Sequence, residues 1–424
     1  MRGSSGGSER GQPRLRRELG VLDAVVVGLG AMLGAGIFAV LSPASAAAGS
    51  GLLWGLAAAA LVAYCNATSS ARLAARYPAA GGTYVYGRER LGEFCGYLAG
   101  CAFVVGKSAS CAAMALTAGY YAWPGQAPAV ACGVVVAVTA VNYAGVQKSA
   151  WFIRAVVAVV LAVLAAVVAA SLASGRADAA RLGGGADGGP AGVLQAAGLL
   201  FFAFAGYARI TTLGEEVRDP AHTIPRAVPL ALGIALGVYA AVALTVLAVL
   251  GPAEAARTAA PLGEAAVASG VPGLPQAVRA GAVVAALGAL LALVLGVSRT
   301  VMAMARDGHL PRPLAAVHPR FRVPHRADLL VGAVVAVLAA TVDVRGAIAL
   351  SSFGVLVYYA VANASAWTLA SAEGRHRRAA PAVGLAGCLV LAFSLPLPAV
   401  LAGSAVLAVL GAVHGARRAL ANRG

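Results

Sequence analysis

The stretch Gly28-Leu-Gly-Ala-Met-Leu-Gly34-Ala-Gly36-Ile-Phe38 decides how this chain is read. Four glycines fall within nine residues of an otherwise apolar run, and each costs ~1 kcal/mol against alanine inside a helix. The surrounding chain has 424 residues, 60% hydrophobic and 11% charged, with a mean hydropathy of +0.83. Soluble domains carry roughly a quarter charged residues, so composition excludes a soluble globular protein, a nucleic-acid binder and a disordered tail. The glycine run therefore lies in lipid, where irregular backbone is tolerated only when it packs in protein or lines a polar cavity. Two readings follow: close packing of small residues between helices, or an unwound segment at a site.

A membrane-crossing helix needs about 20 mostly apolar residues. The pattern predicts twelve spans, near 21–47, 52–76, 92–121, 128–143, 150–173, 193–214, 227–250, 277–305, 327–341, 345–370, 380–395 and 398–415. Residues 2–17, with five arginines among glycine and serine, are too polar for a signal-peptide core and read as a cytoplasmic arm. With that arm inside, 24 of the 32 basic residues fall in inner loops and five outside: Arg176, Arg181, Arg257, Arg279 and Arg345. Lys107, Arg209 and Arg299 lie within spans. This bias predicts both termini on the cytoplasmic side of the cytoplasmic membrane.

The net charge of +16 sits in short patches and forms no continuous stripe, so no nucleic-acid partner is expected. The six cysteines lie in apolar segments without a CxxC pair and offer neither a disulfide framework nor a metal site. Gly28-x-Gly30-x-x-x-Gly34 is one residue too long for a dinucleotide fingerprint. Gly100 to Lys107-Ser108 is one too long for a phosphate loop. No nucleotide, cofactor or metal is expected. HExxH, GxSxG and paired intramembrane acids are absent, which argues against an enzyme.

A second interruption falls in span six, Leu199-Leu-Phe-Phe-Ala-Phe-Ala-Gly206-Tyr-Ala-Arg209-Ile-Thr-Thr-Leu-Gly-Glu215-Glu216. Interruptions at corresponding positions of two halves point to the binding site of a secondary transporter. A broken helix offers free N–H groups on one side, which attract a carboxylate, and free carbonyls on the other, which attract an ammonium. An amino acid carries both charges on one carbon.

Gly34-Ala-Gly-Ile-Phe38 resembles the first-helix signature of the amino acid–polyamine–organocation (APC) superfamily permeases, and the chain is most similar to their cationic-amino-acid-transporter-like branch. Arg76-Tyr-Pro-Ala-Ala-Gly-Gly-Thr-Tyr84-Val-Tyr86 resembles their segment after helix two. Phe201 to Pro220 with Ile224-Pro225-Arg226, and Ser298-Arg299 with Met304-Ala-Arg306-Asp307-Gly308 and Leu310-Pro311, are similar to their sixth- and eighth-helix blocks. The resemblance implies an all-α membrane protein of 12 transmembrane helices with a leucine-transporter-like fold and discontinuous helices 1 and 6. Its two inverted five-helix repeats would occupy 20–173 and 193–370. Two further helices would lie in 380–416, between an arm at 1–19 and a tail at 417–424. It also implies uptake or exchange of amino acids or related amines. The expected activity is uptake of neutral or small amino acids by alternating access, with protons as the expected coupling ion on the strength of Lys107 rather than of the resemblance. The alternatives are an exchanger of cationic amino acids or polyamines, and a transporter-like sensor.

By motif match, the backbone of Ala35, Gly36 and Ile37 would hold the substrate carboxylate, and Met32, Phe202 and Ala205 its amine. Phe202, Phe204 and Tyr207 would cover it, unless they are plain packing. Two departures bear on coupling: Ala208 stands where many relatives carry an acid, and Val160 where proton-coupled relatives carry a lysine. A charge at mid-bilayer costs ~2.5–3.5 kcal/mol, and Lys107 is too deep in span three to snorkel to water. It reads either as the coupling group, or a cation replacing a sodium ion, or as a structural lysine on the carbonyls of the broken helices. Arg209 and Glu216 share a helix face and form a candidate gate pair. Arg299 with Asp307, and Glu215 with Arg218 or Arg226, are inner-gate pairs by resemblance, with a solvated rim as the plainer reading. The lack of acids in the span cores favours small or neutral substrates.

Overall fold

Backbone groups in lipid must be satisfied inside the chain, and the chain answers with helices. The computed structural model describes residues 19–77, 81–145, 150–182, 188–211, 217–369 and 378–421. Among these no strand forms, only an isolated bridge from Leu19 to Val217. The helices are α1 (Val21–Met32), α2 (Ala35–Ala39), α3 (Leu41–Ala48), α4 (Leu52–Arg76), α5 (Thr83–Leu91) and α6 (Glu93–Ala122). Then follow α7 (Ala127–Tyr143), α8 (Ala150–Ala173), α9 (Gly189–Phe204), α10 (Ala208–Thr211), α11 (Pro220–Arg257) and α12 (Pro261–Ser269). The last are α13 (Leu274–Arg306), α14 (His325–Thr341), α15 (Val344–Trp367), α16 (Ala379–Phe393) and α17 (Leu397–Ala421).

Among the described residues, ten helical stretches are long and apolar enough to cross a membrane, which makes this an integral membrane protein. Twelve were expected. The ninth and eleventh, α14 and α16, are apolar but only 17 and 15 residues long. Several boundaries differ from expectation. Helix α11 begins at Pro220 rather than near 227, with proline in its first turn, where a missing N–H costs nothing. Helix α17 continues to Ala421, through residues expected in the tail, because Arg417 and Arg418 hold contacts to His309 and Glu93 from its last turns.

Helix α6 is the central strut, packed against α15, α13, α5 and α7. Its crossing with α15 depends on paired glycines, since a Cβ on Gly354 would lie 2.7 Å from the Gly106 Cα. The outer helices turn large apolar side chains outward, Trp151 and Leu172 on α8 and Leu397, Leu401 and Val409 on α17. These are surfaces for lipid tails.

The two ends of the bundle differ in charge. One, here the basic face, gathers Arg88, Arg154, Arg218, Arg306 and Arg417. On the opposite face three of the exceptional arginines serve the ends of helices. Arg279 donates to the Tyr121 and Ala122 carbonyls at the end of α6, at 2.8 and 2.7 Å. Arg345 reaches the Ala256 carbonyl and Ser42 Oγ, and Arg181 the Val249 carbonyl before the Gly251 kink in α11. A guanidinium there satisfies the last orphan carbonyls and opposes the negative end of the helix dipole. Arg279→Ala is expected to destabilise the detergent-solubilised protein by about 1 kcal/mol, a partial value because the site is exposed, read as a lowered melting temperature with partial recovery in Arg279→Lys.

Candidate functional site

Helix one breaks at the glycine run. α1 ends at Met32, Leu33 and Gly34 leave helical geometry (ψ 26° and −148°), and the helix resumes at Ala35. Val40 stays helical, so α2 runs on into α3. Helix six does not unwind: α9 ends at Phe204, Ala205–Tyr207 tighten into a 3₁₀ turn that keeps helical φ/ψ, and α10 follows, so the expected break is there only a local tightening. The two places touch. A Cβ on Gly206 would fall on the Ala31 carbonyl oxygen, and one on Gly36 would lie 3.0 Å from the Ala203 Cα. Close packing of small residues is thus present at Gly36 and Gly206, next to the interruption at Leu33–Gly34.

Buried donors from distant helices serve the freed carbonyls. The Tyr239 hydroxyl on α11 lies 2.6 Å from the Met32 carbonyl and 3.0 Å from that of Ala203. Tyr121 on α6 donates to the Phe38 carbonyl at 2.8 Å. Lys107 is 7% exposed, and its Nζ lies 3.4 Å from the Ala205 carbonyl at the tightened turn of helix six. One turn further along α6, the Ser110 and Ser351 hydroxyls meet at 2.5 Å. No side chain caps the start of α2.

The expected substrate residues Met32, Ala35, Gly36, Ile37, Phe202, Phe204, Ala205 and Tyr207 are all buried around the breaks. They are not equivalent. Phe204 packs edge-on against Tyr239 at 5.1 Å, and Tyr207 stacks on Tyr359 at 5.2 Å, so both rings are engaged by neighbours. Phe202 keeps some exposure, at 7%. A pocket of about 370 Å³ lies elsewhere, at the far end of α6 beside Tyr121 and Arg279.

The gate residues scatter. Arg209 is exposed on α10, and Glu215 and Glu216 lie outside the described residues. The expected Arg299–Asp307 pair does not form. Asp307 instead accepts from Arg88 at 2.7 Å and from the Tyr84 hydroxyl at 2.6 Å, because the segment after α13 folds back over α5. The charge of Arg299 acts on Asp328. Burial, and then the Asp307 carboxylate beside it, hold the Tyr84 phenol well above its ordinary pKa, so it keeps its proton.

Three features escaped the sequence reading. Asp328 is fully buried in the first turn of α14, beside Ser298, whose hydroxyl donates to Val294. Neither of its carboxylate oxygens has a hydrogen-bond partner among the described residues, and the N-terminal end of the helix dipole favours its charge. Asp23 pairs with Arg154 at 2.5 Å, joining α1 to α8 on the basic face. Tyr239 gave no signal beyond being a tyrosine in an apolar helix.

Residues 19–413 match the amino acid permease family. An uncharacterized transporter of Mycobacterium tuberculosis is 72% identical over 409 residues, covering 96% of this chain and 93% of that protein. A branched-chain amino acid permease of Bacillus subtilis is 26% identical over 82% of this chain and 79% of its own length. The human cationic amino acid transporter 4 is 29% identical over 81% of this chain and 58% of its own length.

The Tyr239 hydroxyl has one proton for the Met32 and Ala203 carbonyls, so Tyr239→Phe removes one buried hydrogen bond, and an unmade buried hydrogen bond costs about 1–3 kcal/mol. Thermal unfolding in detergent is expected to show a loss of that order, larger than for Tyr64→Phe, whose side chain is exposed to the lipid zone.

Proposed function

The chain belongs to the amino acid permease family, and from that premise we propose that it is a secondary transporter carrying small or neutral amino acids by alternating access. The proposed fold has twelve spans, two inverted five-helix repeats and two added helices, set in the cytoplasmic membrane with the basic face and both termini inside. The observation that carries this reading is the buried interruption of helix one at Leu33–Gly34, which brings the first N–H groups of α2, from Ala35, Gly36 and Ile37, beside the tightened turn of helix six and Lys107. The first N–H groups of any helix lack partners within it, and with the helix dipole they favour an anion. A substrate carboxylate fits that demand.

Neutral substrates are favoured over cationic ones because the break holds Lys107 and no acid, Ala208 standing at the acidic position of many relatives. The Bacillus relative named for branched-chain amino acids is therefore the better guide than the human one named for cationic amino acids. The Ala205 carbonyl, assigned to the substrate ammonium by motif, is where Lys107 docks. Lys107 thus serves as the coupling group, yielding that oxygen to the substrate and returning when it leaves. Phe202 covers the substrate. Asp23–Arg154 latches the basic face, where Arg218 N–H also donates to the Leu19 carbonyl at 2.9 Å. Arg209, Glu215, Glu216 and Arg299 are assigned to a gate on helix-face spacing and the resemblance alone.

The test is uptake of radiolabelled amino acids into proteoliposomes at two pH values, with leucine, alanine, arginine and putrescine compared. A neutral amino acid is expected to accumulate more with an inward proton gradient, and Lys107→Met to abolish that dependence. Preferred uptake of arginine or putrescine overturns the substrate class, binding without flux means a sensor, and unchanged pH dependence in Lys107→Met removes its coupling role. The latch gives a second expectation. An exposed ion pair contributes at most about 1 kcal/mol, so Arg154→Ala should raise labelling of a cysteine introduced on the basic face of α1 by up to about fivefold.

A further inference from the structure

Away from the breaks, at the basic face, three groups from remote parts of the chain converge: Glu93 at the start of α6, His309 in the turn after α13 and His414 near the end of α17. One ligand atom from each lies within 4.8 Å of the other two. Both histidines are more than nine-tenths buried, and His414 Nε2 has no hydrogen-bond partner among the described residues.

Proton bookkeeping around His309 shows what is missing. Tyr84 has one proton, and at 2.6 Å it donates that proton to the Asp307 carboxylate, which Arg88 also holds. The Tyr84 oxygen, 2.7 Å from His309 Nδ1, must then accept, so Nδ1 carries the hydrogen. In the neutral ring this leaves His309 Nε2 as a bare lone pair 3.2 Å from Glu93 Oε1, itself an acceptor. Two acceptors at that distance need a cation between them. A proton would serve those two atoms alone and leave His414 unexplained.

We propose that Glu93, His309 and His414 bind a divalent transition-metal ion of the zinc class, fastening α17 and the α13–α14 turn to the start of α6. Two imidazoles and a carboxylate are a borderline donor set that suits zinc, cobalt or nickel over magnesium or calcium. The Nε2–Oε1 separation of 3.2 Å already matches the edge of a tetrahedron with ligand bonds of 2.0–2.1 Å, roughly 3.3 Å. The outer shell is also in place. The chain from His309 Nδ1 through Tyr84 to Asp307 fixes the tautomer that frees Nε2, as partners of metal-bound histidines do. The second Glu93 oxygen is taken by Arg418, and the Arg417 guanidinium lies 3.5 Å from the His309 carbonyl, so both cations sit outside the ligand atoms. The rings of Tyr97 and His414 stack at 4.3 Å, which sets the orientation of the third ligand.

The test uses the full-length, chelator-stripped protein in detergent, freed of any histidine tag, titrated with cobalt(II). One equivalent is expected to bind with the visible absorption of a four-coordinate site and to raise the melting temperature. His309→Gln and His414→Gln should each lose both signals. Tyr84→Phe keeps all three ligands and should weaken binding by roughly 10–100-fold. Wild-type protein that shows no saturable cobalt absorption and no thermal shift, even if its stability titrates with pH, holds a proton there and overturns the proposal. Histidine variants that bind as tightly as wild type overturn it equally. The wild-type titration decides the matter even if a variant fails to fold.

Discussion

Packing around the glycine run answers to the peptide groups released where helix one is interrupted at Leu33–Gly34 and helix six tightens at Ala205–Tyr207, both buried. Burying an amide without a partner costs roughly 2–7 kcal/mol, so each freed group needs a donor or acceptor, from the chain or from a ligand. The carbonyls of Met32 and Ala203 share the single hydroxyl proton of Tyr239, that of Ala205 has Lys107, and Tyr121 adds a bond to the Phe38 carbonyl a turn further on. These donors stand on α6 and α11, which run past the breaks uninterrupted there. Long helices thus act as a rigid frame that carries hydrogen-bonding groups to the soft points. The glycines complete the arrangement by letting the breaks touch, since at Gly206 or Gly36 any side chain would strike the opposing backbone.

The same demand explains arginines that violate the charge bias. Arg181, Arg279 and Arg345 lie opposite the basic face, yet each is spent on carbonyls of α6 or α11. A count of basic residues by loop treats them as noise against the orientation signal. Structurally they are caps, and their chemistry is that of Lys107 at the breaks: a cation meeting the negative ends of helices. On the basic face the charges pair with acids instead, Arg154 with Asp23, Arg88 with Asp307 and Arg418 with Glu93.

What could be read in the sequence was whatever depends on neighbours along the chain. Glycine spacing located the interruption of helix one and the turn that tightens helix six, apolar run length located the helices, and depth within span three singled out Lys107. Pairing across the fold was not legible. Arg299 and Asp307 are eight residues apart and looked like partners, but Asp307 belongs to Arg88 and Tyr84, more than two hundred residues earlier. Asp328 drew no reading from the sequence, yet tertiary packing buries it completely. Tyr239 and His414 carry no local pattern at all, because their roles arise only from which helix lies opposite. Motif blocks fixed the order of the elements but not the identity of contacts between them.

In the proposed cycle, Lys107 and the missing acid at position 208 are one device. The Ala205 carbonyl that accepts from Lys107 is also the oxygen the motif gives to the substrate ammonium. Two like charges about 4 Å apart repel by about 4 kcal/mol at an effective dielectric near 20, so both cannot stay charged on that oxygen. An arriving amino acid must displace the lysine or meet it uncharged, which links substrate binding to the lysine's position and proton without any intramembrane carboxylate. The same repulsion disfavours a substrate whose side chain brings another cation to the break. With an acid at 208 that second charge would have a partner. With alanine it has none, and selectivity for neutral side chains follows from the electrostatics that drive coupling.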